Sequence, residues 1–355
     1  MAEVEGSRGN PGRTTRRGFL TQLGGSVTAA PLFCHSSIAT ARGESVEQPV
    51  EQKVRHRKLG KTDLDVSEIG LGGHSWSYKR TPDGRGGLRQ VTIEEATEMI
   101  ALALDTGVNF LDSCTPGDES SVPGEALKRL GRRQDAVIAV RVSHKMQGVK
   151  QDIQEVFDWT EKRLKLWQTD YIDVLILSNE VNVTQRSGYW DMSNSIEALD
   201  KLKQQGKIRY TGFGSHFEPK WFYVAFAKFA QHLDCCSMPY NIRHRVGELV
   251  MPIAREAGLG VIAIKPFARG SLLKDRVLNG ADRDLPQQMI AFVLENPAVD
   301  VCLCGVHTPA QVTQNLSASW TKLTPDRRAQ LETLAAATAV PHGEHGWLEE
   351  GWRYA

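Results

Sequence analysis

Between Val54 and Ser319 an apolar, strand-length run gives way to an amphipathic helical segment eight times over, and few architectures accept that pattern. The strand-like runs are "SEIGLGG", "NFLDSC", "AVIAVRV", "YIDVLIL", "RYTGFGS", "CCSMPYN", "GVIAIKPF" and "VDVCLCGV". They are nearly continuously apolar, as expected for parallel strands buried on both faces. The segments between them place apolar residues at helical spacing; "IEEATEMIALALDTG", for example, is stopped by Gly107. Eight such units predict a closed (β/α)8 TIM barrel rather than an open doubly wound sheet. A short hairpin, "RHRKLGKTDLDVS", with its turn at Gly60 and Lys61, precedes the first unit, and an extra helix, "PDRRAQLETLAAAT", follows the last. The barrel is expected over residues 54–340, with a tail over 341–355.

The chain ahead of the barrel has a different character. Arg16 and Arg17 are followed by Phe19 and Leu20, a weakly apolar Gly/Ala-rich segment, and the small-residue triplet Ala39, Thr40, Ala41. Residues 1–41 therefore read as a twin-arginine export signal cleaved after Ala41, and residues 42–53 as a flexible lead-in. The alternative reading is a plain basic tail. Cys34 lies in a poor lipobox, "PLFC", and is not read as a lipid anchor. An exported, periplasmic or extracytoplasmic location follows, with the twin-arginine machinery as a partner.

Composition narrows the partners further. With 24% charged residues and a net charge of +1, the chain holds no basic block that would point to nucleic acid. No apolar run is long enough to predict a membrane span in the mature chain. The cysteines show neither CxxC nor Cys/His metal spacing, so Cys114, Cys235, Cys236, Cys302 and Cys304 read as small core residues.

In a barrel of this kind, chemistry collects where strands end. Those ends carry His74, Asp112, Arg141, Ser178, Ser215, Tyr240, Lys265 and Gly305. No strand leads into a GxGxxG turn, so an open dinucleotide crevice is not indicated.

The wording of these strand ends, over about Arg57 to Ser319, resembles the aldo/keto reductase family. "RKLGKTDLDVSEIGLGG" is similar to its opening hairpin and first strand, and "ALDTGVNFLDS" to its second strand. "QQGKIRYTGFGSHF", "GVIAIKPFARGSLL" and "VCLCGVHTPAQVTQNL" resemble its fifth, seventh and eighth strand motifs. The resemblance implies hydride transfer between NADPH and a carbonyl, with a catalytic tyrosine, lysine, aspartate and histidine. Asp112 stands at the aspartate position. Gly117 stands where the tyrosine is expected, Arg141 where the lysine is, and Ser178 where the histidine is. Glycine has no proton to give, arginine hardly releases one, and serine lacks a titration near neutrality. Asp112 is accordingly expected to pair with Arg141, either as part of a working site or as a tie between two strand ends.

The resemblance also implies a cofactor site for NADP or NAD. Ser215 is expected among the carboxamide contacts, with His216 and Ser237 standing where asparagine and glutamine are usual. Ile264 takes the place of an aromatic ring against the nicotinamide. The loop from Phe267 through Gly270 to Leu272 is expected at the pyrophosphate. Gly305, Thr308, Gln311 and Asn315 are expected around a helix N-terminus, a natural anion site. His307 occupies the neighbourhood of a basic residue near the 2′-phosphate.

His74 and His144 follow the first and third strands, and either could replace the missing acid or be an ordinary loop histidine. Trp76, Tyr78, Tyr189 and Trp190 lie in loops of the same rim and could wall a ligand cleft. Two functions are consistent with these residues. One is an exported oxidoreductase that binds a nicotinamide dinucleotide and acts on a small-molecule substrate. The other is a non-catalytic exported barrel that binds a small molecule such as a sugar.

Overall fold

The computed structural model describes residues 53–77, 81–82, 88–113, 120–143, 152–179, 192–216, 219–273 and 282–337. Its first element is an antiparallel hairpin, β1 (His56–Lys58) and β2 (Asp65–Ser67), which pairs Arg57 with Val66. Strand β3 (Ile69–Leu71) opens the barrel, and a segment not anticipated from periodicity follows it. That segment contains a one-turn helix α1 (His74–Ser77) and a second small hairpin, β4 (Thr81–Pro82) with β5 (Leu88–Arg89).

Helix α2 (Ile93–Asp105) leads to β6 (Phe110–Asp112), α3 (Val122–Leu130) to β7 (Val137–Ser143), and α4 (Ile153–Trp167) to β8 (Ile172–Asn179). Then come α5 (Ser193–Gln204), β9 (Ile208–Ser215), α6 (Pro219–Phe229), β10 (Cys235–Pro239), α7 (Gly247–Glu256) and β11 (Gly260–Ile264). Helix α8 (Leu285–Leu294), β12 (Val301–Cys304), α9 (Pro309–Leu316) and α10 (Pro325–Ala337) complete the order. Strands β3, β6, β7, β8, β9, β10, β11 and β12 close in that sequence into one parallel barrel, with β12 returning to β3. This is the expected (β/α)8 fold.

Local signals account for the helix ends. Thr92 accepts from the Glu95 amide while Glu95 reaches back to the Thr92 amide, so a capping box starts α2. Asp152 caps α4 and Thr308 caps α9, each through its side chain. Gly131, at φ 64°, ends α3 in the left-handed region that glycine tolerates.

Two apolar clusters follow from strand alternation. The larger lies between strands and helices and includes Ile138, Val140, Leu175, Leu177 and Cys236. The smaller fills the barrel: Phe110, Val137, Ala139, Val174, Ile176, Cys235, Ile262, Ile264, Val301 and Leu303, plugged by Leu59, Leu64 and Val66 of the hairpin. Cys235, Cys236, Cys302 and Cys304 are buried and unpaired as disulfides, and burial pushes the Cys235 and Cys236 thiols up. Cys114 lies outside the described residues. Among the described residues no helix is long and apolar enough to cross a membrane.

Candidate functional site

Above the apolar filling, the barrel interior turns polar. Asp112 continues the inward face of β6 two residues after Phe110, and Arg141 continues that of β7 two residues after Ala139. Arg141 is 4% exposed and Asp112 5%. The Arg141 Nε donates to Asp112 Oδ1 at 3.1 Å, and Nη2 lies 3.1 Å from the same oxygen. A second Asp112 oxygen, Oδ2, accepts from the Gly73 amide at 3.4 Å. The expected pairing of Asp112 with Arg141 is thus present.

Arg141 does more than pair. Its Nη2 donates to Ser237 Oγ at 3.0 Å, so the side chain crosses from β7 to β10, three strands further round the barrel. Register explains how it gets there. Ser178 on β8 pairs with Gly214 on β9, and Gly214 pairs with Ser237 on β10, making one level row. A Cβ at Gly214 would lie 3.2 Å from Arg141 Nη1, so the missing side chain is what lets the guanidinium lie across this row. Reading the strand-five motif alone did not single out Gly214, although the "GFG" spacing in a strand is the signal that could have found it.

The next level up joins the loops after β10 and β11. Asn241 Nδ2 donates to the Lys265 carbonyl at 2.9 Å, while its Oδ1 accepts from the Arg243 and His244 amides. The backbone is strained here. Lys265 and Ala268 take φ values of 60° and 46°, and Gly270 one of 90°. For non-glycine residues such geometry costs about 1–3 kcal/mol each and tends to gather at functional sites. His244, which sequence reading passed over, is buried beside this turn. Burial first, and the Lys265 charge second, push its pKa down to about 4.

Other expected site residues fall differently. Ser215 follows Gly214, so alternation puts it on the other face of β9 from the Ser178–Gly214–Ser237 row; His216, next along, is half-buried. Ile264 faces the barrel interior. Phe267 packs partly buried at the start of the strained turn, but Leu272 is 1% exposed and belongs to the core between strands and helices. Only its backbone is left to meet a ligand, because its side chain is consumed by packing. Gly270 and Gly305 both have open space where a side chain would stand. Thr308 caps α9, whereas Gln311 Oε1 accepts from the His307 amide at 2.7 Å, so its carboxamide closes the same turn it was expected to offer a ligand. Asn315 is buried on α9.

Of the four aromatic residues expected to wall a cleft, Trp76 alone is among the described residues, and it does not face the rim. Trp76 is 1% exposed and meets Trp167 edge-on, with ring centroids 6.4 Å apart. The one-turn helix after β3 swings its ring into the core instead of the rim. His74, on the same turn, is half-buried. His144, Gly117, Tyr78, Tyr189 and Trp190 lie outside the described residues. Among the described residues no cluster of His, Cys, Asp and Glu could hold a metal ion.

The profile of the aldo/keto reductase family matches residues 68–284, more than half of the chain and every strand from β3 to β11. The chain belongs to the aldo/keto reductase family. This aldo/keto reductase is 28% identical over 307 residues to the protein named uncharacterized oxidoreductase YqkF of Bacillus subtilis, covering 75% of this chain and 91% of that one. It is 24% identical over 292 residues to L-galactose dehydrogenase of Arabidopsis thaliana, covering 75% and 88%. Its fold superposes on the holo form of aldo-keto reductase AKR11C1 from Bacillus halodurans with a TM-score of 0.60 at 24% identity, over 81% of this chain and 99% of that one. The coarse class is therefore an aldo/keto reductase-like oxidoreductase.

Proposed function

We propose that this chain binds a nicotinamide dinucleotide, NADP or NAD, at the barrel mouth and transfers hydride between it and a carbonyl or alcohol substrate. The observation that carries the reading is the buried Asp112–Arg141 pair at the ends of adjacent strands β6 and β7, in a chain whose family generally uses NAD(P)H. The Arabidopsis relative named L-galactose dehydrogenase supports a sugar as the small-molecule class.

The residues present suit the dinucleotide at one end better than the other. Open space at Gly270 and Gly305 lets backbone approach phosphates, and the N-terminus of α9 behind Thr308 favours negative charge. At the nicotinamide end Ser237 is held by Arg141, so a carboxamide would have to share that hydroxyl. The dinucleotide supplies the hydride when bound. Arg141 supplies fixed positive charge and oriented N–H donors toward a substrate oxygen, and Asp112 holds its plane. Ser178 offers a hydroxyl on the same row. None of these groups gives up a proton readily near neutrality, so proton delivery falls to water or to His144.

The same reading includes export: residues 1–41 act as a twin-arginine signal, and the mature protein works in the periplasm or an equivalent extracytoplasmic space. Support comes from Arg16, Arg17 and the Ala39–Thr40–Ala41 triplet. Titrating the purified full chain with NADPH and NADP+ while following tryptophan fluorescence tests the cofactor. Saturation in the micromolar range is expected, and no response at millimolar concentration defeats the reading. That second result would favour a non-catalytic barrel that binds a small molecule such as a sugar, a reading motivated by the occupied Ser237 and by Gly117 and Ser178 at the tyrosine and histidine positions.

A further inference from the structure

Among the described residues three large apolar side chains stand exposed, and all three belong to one face. Tyr223 of α6 is 38% exposed, and Leu249 and Ile253 of α7 are 49% and 41% exposed. Leu249 and Ile253 are four residues apart on one helix and so point the same way. The Tyr223 hydroxyl reaches the Leu249 carbonyl at 3.5 Å, which places the two helices side by side. Between them lies a groove of about 380 Å³, lined on one side by Phe226, Ala227 and Ala230 and on the other by Ile253, Glu256 and Ala257. The groove sets residues 226–230 level with residues 253–257, so Lys228 and Glu256 stand at one height on its two sides. Both are exposed, and neither makes an ion pair among the described residues. Nearby Lys203, Arg245 and Arg255 are already paired, with Asp234, Glu248 and Asp300.

We propose that this face pairs with a second copy of the chain, about a twofold axis that runs along the groove between α6 and α7. The inference is independent of what the barrel mouth binds. A twofold contact uses one patch twice, so the patch must be complementary to itself. This one is. An axis along the groove lays α6 of one protomer against α7 of its partner at matching height. Leu249 and Ile253 then cover the partner's Tyr223 and Ala227, and the two grooves close on each other. Lys228 meets the partner's Glu256, and Glu256 meets the partner's Lys228. An axis across the helices would instead set α6 against α6; that helix carries Lys220 and Lys228 and no acid, so lysine would face lysine. A foreign partner would not require opposite charges at equal heights on the two sides of the groove. Size sets the strength. Helices of 11 and 10 residues are about 16 and 15 Å long, and side by side they present on the order of 400 Å². That is below the ~800 Å² a side of a standard interface, so the dimer is reversible, with a Kd on the order of tens of micromolar.

Sedimentation velocity of the full chain, from about 1 to about 200 µM in low salt, tests the pairing. The parent is expected to move from monomer toward twice the monomer mass across that range. Ile253→Glu places a charge at the centre of the face and is expected to weaken the dimer by at least about tenfold. Lys228→Glu and Glu256→Lys each turn two attractive pairs into two repulsive ones, and each is expected to weaken it by about tenfold. The double variant Lys228→Glu with Glu256→Lys exchanges the signs and is expected to return to within about threefold of the parent. All four positions lie in solvent on the outer helices, and unchanged circular dichroism confirms that each variant folds. If Ile253→Glu does not fold, the charge exchange decides the matter. A parent that stays monomeric at the highest concentration overturns the proposal, whether residues 338–355, another protein or water alone covers the face. So does a dimer indifferent to Ile253→Glu, or a double variant as weak as the two single ones.

Discussion

One Asp112 oxygen receives both Nε and Nη2 of Arg141, each at 3.1 Å, where strands β6 and β7 end. Removing one partner of a buried pair strands the other's charge, whereas removing both does not. Asp112→Ala is therefore expected to lower unfolding free energy by about 3–5 kcal/mol. The double change Asp112→Leu with Arg141→Met is expected to return to within about 1 kcal/mol of the parent or to exceed it. Urea unfolding of the three proteins checks this, and a double variant as unstable as the single one would contradict the view of the pair as costly to fold around.

The family positions can be tested by rebuilding them. If Gly117, Arg141 and Ser178 hold the family's tyrosine, lysine and histidine positions, Gly117→Tyr, Arg141→Lys and Ser178→His together supply Asp112 with a proton donor, a releasable cation and an imidazole. General acid catalysis contributes about 10²–10⁴-fold, so the triple variant should gain aldehyde reduction on that scale over its parent once NADPH binding is shown. Single changes should do little, because groups that act as a unit are strongly non-additive. A folded, NADPH-binding triple variant with no gain in rate would refute the assignment of those positions.

His244 makes folding sensitive to acid. Its folded pKa lies near 4, below the ordinary 6.5, because the buried ring resists charging. Above pH 6.5 the group adds no pH dependence, since it is neutral in both states. As pH falls from 6.5 toward 4, the unfolded chain takes up a proton that the folded chain refuses, and stability drops. The total loss from this residue is about 3 kcal/mol and ends below the folded pKa. Urea unfolding at several pH values should show a shallower decline for His244→Gln than for the parent in that window. Parallel curves would remove His244 from the account.

Gly124 marks a backbone-to-backbone approach on the outer layer. A Cβ there would sit 2.3 Å from the Leu166 carbonyl oxygen and 2.6 Å from Trp167 backbone, atoms that cannot rotate away. Gly124→Ala should therefore force α3 off the end of α4 and destabilise the protein by at least about 3 kcal/mol. A melting temperature within two degrees of the parent's, in a thermal scan, would show that the helices yield more easily than this geometry implies.

How much of this could be read beforehand depended on the range of the interaction. Strand and helix periodicities are local, and eight of them in alternation leave little choice but a closed parallel barrel, so the architecture followed from the residues themselves. The placement of Asp112 and Arg141 at strand ends came the same way, because alternation from apolar neighbours fixes which face they share. The one-turn helix at His74 and the hairpin of β4 and β5 escaped, since elements this short carry too few residues to show a period.

What tertiary structure alone decided is where side chains spend their hydrogen bonds and ring faces. Ser237, 96 residues from Arg141 along the chain, becomes its partner only because the barrel's register levels Ser178, Gly214 and Ser237 and the bare glycine opens a path between strands. Trp76 turns into the core against Trp167, and Gln311 is taken by the His307 amide, for reasons no spacing in the chain could reveal. Periodicity sets which face a residue occupies; closure of the barrel, with its shear between strands, sets what that face meets.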